Sequence, residues 1–244
     1  MRCLRCRPRW ACATSPKCFG LAASHESQKF ILKIVNGDSM SNSAYVVGVG
    51  MIPFTKPGAS EPYNVMGAQA AQKALQDAGI EYRLVQQAYV GYVFGDSTCG
   101  QAALYGVGMT GIPVVNVNNN CSTGSTALYL ARQAIESGSA DCVLVLGFEQ
   151  MSRGALSSNF SDRPDPLQRF VDTMQGVQGL DPNAPIAAQL FAGGGRKHME
   201  LFGTKAETFA HIAVKARRHA ANNPYSVFRD PITVEQVMAT PTIF

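Results

Sequence analysis

Three features are scarce in this sequence: long apolar runs, cysteines in the body of the chain, and acidic residues near its start. The longest apolar runs, such as residues 142–148 (CVLVLGF), are too short for a bilayer, which needs about 20 residues. Beyond residue 18 the cysteines are Cys99, Cys121 and Cys142, which make no disulfide framework, so a reducing compartment fits best. The sequence predicts a chain with no membrane span.

Positive charge is concentrated at the start of the chain. Residues 1–39 hold seven of the 21 Lys and Arg residues and two acidic residues. The rest of the chain is close to neutral, so the net charge of +4 reflects this leader and not a basic surface. We therefore expect no nucleic-acid partner.

The leader, residues 1–39, allows three interpretations. Its arginines, and the lack of any acidic residue before Glu26, suit a mitochondrial presequence, although two prolines weaken the amphipathic helix that such signals use. Metal binding is disfavoured, because a structural zinc site needs ordered surroundings. We favour an upstream extension of a protein that starts at Met40, and we expect residues 1–39 to be disordered. The cysteines that would bind a metal are Cys3, Cys6, Cys12 and Cys18.

From residue 44 to residue 149, strand and helix patterns alternate. Apolar runs predict a buried strand over 44–54 and further strands at about 87–94 and 142–148. A helix before Gly79 has one apolar face, formed by Ala71, Ala74, Leu75 and Ala78. Glu149 ends the last strand, where a catalytic role is one interpretation, but we favour a structural carboxylate that holds a neighbouring turn or subunit by hydrogen bonds. The alternation predicts an α/β fold with helices layered against a sheet.

Residues 106–111 (GVGMTG) match the dinucleotide-binding pattern GxGxxG. That fingerprint must follow a strand and open a helix, whereas here a strand follows it. We reject a dinucleotide site.

Residues 150–244 have a different texture, with short polar segments and prolines followed by two helices. We place a boundary near 150, which divides an α/β core (40–149) from a mostly helical region (150–244). The helical spacing predicts that His198 faces inward as a satisfied core histidine. The inward faces are predicted as Ala187, Leu190, Phe191, Gly194, Gly195, His198, Met199 and Phe202 in one helix, and Phe209, Ile212, Ala213 and Ala216 in the other.

Cys121 lies at a predicted strand-to-helix turn. A strand with Val115 and Val117 precedes it, and a helix with Ala127, Leu130, Ala131, Ala134 and Ile135 on one face follows it. The amides and dipole of a helix N-terminus favour a thiolate and an oxyanion. The residues alone leave two interpretations open: a nucleophile, or a small buried core residue.

Four segments of this sequence resemble the thiolase family, and within it the peroxisomal 3-ketoacyl-CoA thiolases of the sterol carrier protein x type. The resemblance covers about residues 44–244. It implies the N-terminal half and loop region of the layered thiolase fold, and it makes Cys121 the acyl-accepting nucleophile of an acetyl-CoA or propanoyl-CoA C-acyltransferase. The segments are VNVNNNCSTGSTAL, GFEQMS, GYVFGDSTCGQ and HMELFGTKAETFAHIAVKARRHAANNPYS.

The resemblance also implies partners and a location. Acyl-CoA and CoA are the expected substrates, with CoA as co-substrate, no permanently bound cofactor and no metal, and it assigns no CoA-contacting residue. Val115–Asn119 are candidates for homodimer formation. The expected location is peroxisomal in fatty acid β-oxidation, with mitochondrial or cytoplasmic alternatives because the C-terminal signal is absent and the leader is basic.

Thiolases have a second α/β half, whose His-Asp-Cys-Phe and Gly-His-Pro segments are not found in this sequence. In the family that half supplies the histidine that activates the cysteine, a second acid/base group and part of the oxyanion hole. We therefore expect the isolated chain to have little or no activity and to expose apolar surface. Two other functions stay open: a non-catalytic dimerisation partner of the full-length thiolase, and a ketoacyl-synthase-type condensing enzyme.

Overall fold

The computed structural model describes residues 28–34, 43–151 and 160–243, the first of these ranges by its backbone. The predictions on the leader cysteines and on Met40 as a start fall outside the described residues. The division of the chain near residue 150 also stays a prediction.

Five described strands form one sheet. They are β1 (Gln28–Ile34), β2 (Ala44–Met51), β3 (Gln87–Gly91), β4 (Val114–Val117) and β5 (Cys142–Gly147). Their order in the sheet is β2-β1-β5-β3-β4. β3 runs parallel to both β4 and β5, whereas β1 is antiparallel to both of its neighbours. This arrangement confirms the predicted α/β class.

The strand β1 corrects the prediction that the whole leader is disordered. Residues 28–34 pair with β2 on one side and with β5 on the other, with a bulge between Ile31 and Leu32. The physical reason lies in the local sequence QKFILKI, which is rich in residues with high β-propensity. The composition of residues 1–39 taken as a whole concealed this short segment.

Seven α-helices are described. They are α1 (Tyr63–Ala78), α2 (Cys99–Tyr105), α3 (Thr123–Glu136), α4 (Gln168–Gln178), α5 (Ile186–Phe202), α6 (Ala206–Ala220) and α7 (Val234–Met238). Gly79 ends α1 in the left-handed conformation (φ 63°), as the sequence predicts. None of the described helices is both long and apolar enough to cross a membrane.

The strand β5 is at the centre of the core because helices cover both of its faces. Leu144 and Leu146 belong to an apolar cluster with residues of α1 and α2. Val143 and Val145, on the opposite face, belong to a second cluster with Ala127 and other residues of α3. The predicted apolar face of α3 is confirmed, with Leu130 half-buried and the other four residues buried.

The strand β2 differs from the buried strand that the sequence predicts. Gly48 and Gly50 are buried, and a Cβ atom on Gly50 would lie 2.3 Å from the Ala74 nitrogen in α1. Val46 and Val49 are exposed. β2 is an edge strand covered by α1 on one face, so its apolar run does not mean burial on both sides.

The inward faces predicted for the later helices are wrong. Within the described helices α5 and α6, the buried residues are Gln189, Gly193 and Ala210, whereas Phe191 is 79% exposed. His198 is exposed and not a core residue. Helical periodicity identifies which side of a helix is apolar, but burial also requires a partner layer on that side.

The region after residue 160 is joined to the sheet region near α1. The Phe54 amide donates to the Tyr225 carbonyl at 2.9 Å. The ammonium group of Lys73 in α1 lies 5.9 Å from the centre of the Tyr225 ring, a cation–π distance.

Candidate functional site around Cys121

Cys121 lies in the turn between β4 and α3, two residues before the helix begins. This confirms the predicted strand-to-helix turn. The residue is exposed, and it is a free thiol in the described part of the chain. This exposure contradicts the alternative that Cys121 is a small buried core residue. Cys142, which is 5% exposed, is such a core cysteine.

The turn before α3 is fixed by the side chain of Thr123, which is buried. Its Oγ1 accepts a hydrogen bond from the Asn119 amide at 2.8 Å and donates one to the Asn120 carbonyl at 2.6 Å. Asn120 between them has a positive φ of 48°, which asparagine tolerates better than most residues. The backbone that carries Cys121 is therefore held from both sides.

A second set of hydrogen bonds ties the turn to the first turns of α3. The Asn119 Nδ2 donates to Thr126 Oγ1 at 2.9 Å, and Thr126 Oγ1 donates to the Ser122 carbonyl at 2.9 Å. Ser122 Oγ in turn donates to the Asn119 carbonyl at 2.8 Å. The pairings of these polar residues do not follow from the sequence, in which the run of three asparagines is the only signal of a polar turn.

The surroundings of the Cys121 sulfur are polar. Its closest described partner is Asn120 Oδ1, 3.9 Å from Sγ, to which the thiol is a weak donor. The first turn of α3, which is fully described, contains no acidic residue. A helix N-terminus favours negative charge in its vicinity.

The turn lies against the end of β3 because Gly91 allows close approach. A Cβ atom on Gly91 would lie 2.7 Å from Thr123 Cγ2 and 3.2 Å from the Thr123 carbonyl oxygen. The Tyr92 amide, just after β3, donates to the Val117 carbonyl at 3.2 Å. Cys121 is thus at the carboxyl edge of the parallel strands, where α/β folds place ligand sites.

Glu149 is also at this edge, and its role is structural, as predicted. The carboxylate is 9% exposed and accepts hydrogen bonds from the Val93 and Phe94 amides, each at 2.9 Å. It orders the chain that leaves β3.

A cleft of about 250 Å³ lies beside that segment. Residues 94–99 line it together with Tyr63, Ala102 and Gln150, and Cys121 is not among its lining residues. The pKa of Tyr63 lies above its ordinary value, mainly because of a hydrogen bond with Cys99 and secondly because the side chain is partly buried.

His198 is not among the residues that form hydrogen bonds in the turn between β4 and α3. His198 Nδ1 is hydrogen-bonded to Thr204 Oγ1 at 2.8 Å, and its ring contacts Phe202. In the part of the chain that the structure describes, no three His, Cys, Asp or Glu residues are placed to hold a metal ion.

Comparison with known proteins identifies the family. Residues 44–243 match the model of the thiolase N-terminal domain. The chain is 53% identical to sterol carrier protein 2 of Gallus gallus over 207 residues, which are 84% of this chain and 38% of the relative. It is 54% identical to sterol carrier protein 2 of Homo sapiens over 203 residues, 82% of this chain and 37% of that protein.

A more distant relative carries thiolase in its name. The benzoylsuccinyl-CoA thiolase subunit BbsB of Thauera aromatica is 33% identical over 207 residues, 82% of this chain and 49% of that subunit. The chain thus spans less than half the length of each of these relatives.

A solved structure, the Ltp2-ChsH2(DUF35) aldolase, shares the fold. It superimposes with a TM-score of 0.64 over 83% of this chain and 50% of that chain, at 22% identity.

Proposed function

The chain belongs to the thiolase family, and from this premise we propose that Cys121 is the nucleophile of an acyl-CoA acyltransferase that cleaves 3-ketoacyl-CoA. The observation that carries the proposal is the exposed Cys121 thiol on a braced turn before α3.

The proposed reaction has two half-reactions. The Cys121 thiolate attacks the 3-keto carbon, the bond between C2 and C3 breaks, and acetyl-CoA or propanoyl-CoA leaves as an enolate that takes up a proton. The acyl group stays on sulfur as a thioester. The thiol of free CoA then loses its proton and attacks this thioester, and Cys121 is released together with the second acyl-CoA.

The residues of this chain supply part of that chemistry. We propose that the N-terminus of α3, whose dipole favours negative charge, stabilises charge that develops near Cys121. We propose that the general base and further oxyanion donors belong to the part of the longer relatives that this chain does not match. The isolated chain is then expected to show no CoA-dependent turnover.

Two assays test the proposal. The first follows cleavage of a medium-chain 3-ketoacyl-CoA by the purified chain, where robust turnover that disappears in Cys121→Ala would contradict the proposal that the general base lies outside the matched part. The second uses a chimera in which residues 44–243 replace the matching part of human sterol carrier protein 2, with the human protein as reference.

The chimera tests the nucleophile itself. We expect it to cleave 3-ketoacyl-CoA and to lose at least 1,000-fold in rate with Cys121→Ala, because general-base and oxyanion groups cannot replace an absent nucleophile. The matched control is Cys142→Ala, at a buried core cysteine, which should retain turnover. Full activity in the Cys121→Ala chimera would refute the assignment.

A second candidate function is that of a non-catalytic partner of full-length subunits. Two observations favour it: β4 is an edge strand of the described sheet with Val115 43% exposed, and several large apolar side chains of α4–α6 are exposed. Val115–Asn119 are the proposed pairing segment. Mixing this chain with a full-length relative and measuring mass and activity tests it, and failure to co-assemble would eliminate the model.

We also propose a peroxisomal location, on the basis of the family resemblance alone. Imaging of fluorescent fusions that begin at Met1 and at Met40 tests it. Peroxisomal signal from both supports the proposal, and mitochondrial signal confined to the longer version supports a presequence.

A further inference from the structure

The strand β1 joins two parts of the sheet that are not otherwise neighbours. Residues 28–34 pair with residues 44–51 of β2 over the full strand, and residues 29–33 pair with residues 142–146 of β5. β1 is thus an interior strand, hydrogen-bonded along both edges.

This interior strand lies outside the part of the chain that defines the family. The thiolase N-terminal domain model matches residues 44–243, which include β2 and β5 but not β1. The matched part therefore forms the two flanking strands and leaves a space between them. Neighbouring strands are about 4.8 Å apart, so this space has the width of one strand.

The helix α1 holds both walls of this space. Gly50 of β2 approaches the α1 backbone so closely that a Cβ atom would overlap it. Leu144 and Leu146 of β5 pack in one cluster with Ala71 and Ala74 of α1. Because α1 contacts both strands, β2 and β5 are held apart on a common support.

We propose that the family-matched part of this chain is a strand acceptor, and that residues 28–34 are its own intramolecular donor strand. The groove has β2 and β5 as its walls and α1 against one face. The groove accepts an extended segment of about seven residues that is rich in aliphatic and aromatic side chains and runs antiparallel to both walls. Insertion satisfies the open backbone edges of two strands at once. The inference is independent of Cys121 chemistry.

Disulfide trapping tests the register in the full chain. Lys33 is opposite the native Cys142 in the β1–β5 pairing. Cα atoms of directly opposite residues are about 4.5–5.5 Å apart, within the range of a disulfide. We expect Lys33→Cys to form an intramolecular bond with Cys142 under mild oxidation. Leu32→Cys, opposite Val143, is the control and should not form it.

Peptide mapping and non-reducing electrophoresis separate the outcomes. A bond between positions 33 and 142 within a monomer supports the proposal. The same bond in a covalent dimer would overturn the intramolecular donor in favour of strand exchange between two copies. Absence of the bond in Lys33→Cys, or equal yield in Leu32→Cys, would overturn the register.

Hydrogen exchange tests the acceptor. Phe30→Pro removes a backbone donor from an interior strand, which a sheet does not tolerate. We expect amide protection to fall at least tenfold in both β2 and β5, and less in β3 and β4. An added peptide of residues 25–37 should restore protection in β2 and β5, whereas the same peptide with proline at position 30 should not. Ser24→Pro, four positions before the first residue of β1 in the sequence, is the control variant.

Unchanged protection in Phe30→Pro would refute the donor role of β1. Loss of protection that the peptide does not restore would refute a separate acceptor groove. If Phe30→Pro does not fold, the disulfide experiment still decides the position of the strand.

Discussion

The contact between Gly91 and Thr123 yields the sharpest prediction. An added methyl group at position 91 would lie 2.7 Å from Thr123 Cγ2, whereas ordinary carbon contacts begin near 3.5 Å. Thr123 cannot rotate away without losing the hydrogen bonds of its Oγ1 to Asn119 and Asn120. The Gly91→Ala variant must therefore move the start of α3 or the end of β3.

The cost can be worked from these contacts. Overpacking of this kind costs about 1–3 kcal/mol. Replacing glycine by alanine restricts the unfolded chain, which returns about 0.4–1 kcal/mol. We therefore expect Gly91→Ala to lower the free energy of unfolding by about 1–2 kcal/mol.

Gly124 is the matched control, because it lies in the same region but has free space around its Cα. No atom would lie within 4 Å of a Cβ at Gly124, and the residue is in the first turn of α3. Gly124→Ala should raise the free energy of unfolding by up to about 1 kcal/mol through helix propensity.

Urea denaturation followed by circular dichroism measures both variants. The two variants should shift in opposite directions from the wild type and differ from each other by about 1–3 kcal/mol, which combines the packing and propensity effects. Hydrogen exchange at residues 118–122 should increase in Gly91→Ala and stay unchanged in Gly124→Ala. A Gly91→Ala protein as stable as the wild type would refute the argument that this contact positions the turn.

Three further predictions concern polar groups that are buried or partly buried. Glu149→Ala leaves two backbone amides without their acceptor and should lower the free energy of unfolding in urea by about 2–5 kcal/mol, against under about 1 kcal/mol for the exposed Glu136→Ala. The fully buried side chain of Gln189 makes hydrogen bonds with three backbone groups, so Gln189→Leu should lower the free energy of unfolding by a similar amount. In limited proteolysis, the connection between α4 and α5 should be cleaved first in this variant. An unchanged cleavage rate would contradict this expectation. Burial raises the pKa of Tyr82 above its ordinary value of 10.0, because the folded protein favours the neutral phenol. The stabilisation that this gives is fully present below pH 10 and is lost as the pH rises through the raised pKa. Tyr82→Phe should therefore reduce the alkaline loss of stability in pH-dependent urea titrations, whereas the exposed Tyr129→Phe should not.

Much of the α/β core could be predicted from the sequence because local signals agreed with the tertiary structure. The helix α1 has an apolar face and a glycine stop, and α3 follows a β-branched strand. The short helix α2 (Cys99–Tyr105) was missed, because glycines flank it and make the segment look like a loop. Local patterns therefore predicted a helix or strand where its apolar residues recur at the spacing of that element and turn residues mark both of its ends.

The later helices show where local patterns fail. The periodicity of α5 identified its apolar residues correctly, but the buried residues are Gln189 and Gly193, which pack through hydrogen bonding and close approach. Burial depends on what covers a face, and one helix does not encode that information.

Only part of the candidate site could be predicted from the sequence. The position of Cys121 before a helix followed from adjacent residues, as did the structural role of Glu149. The hydrogen bonds of Thr123 did not, because its partners are set by the geometry of the turn and by the approach of Gly91. Polar residues near the proposed nucleophile are visible in the sequence, but their pairings are not.

The interior position of β1 has a consequence for the order of folding during synthesis. β1 leaves the ribosome early and β2 follows it closely, but the β5 residues that it pairs with are more than 100 residues further along the chain. Closing so long a loop is entropically costly and slow. Until β5 is made, the paired strands β1 and β2 have an open backbone edge, which is the kind of edge that other nascent chains can extend. We therefore expect rapid translation or a chaperone to protect the free edge of β1 until β5 emerges.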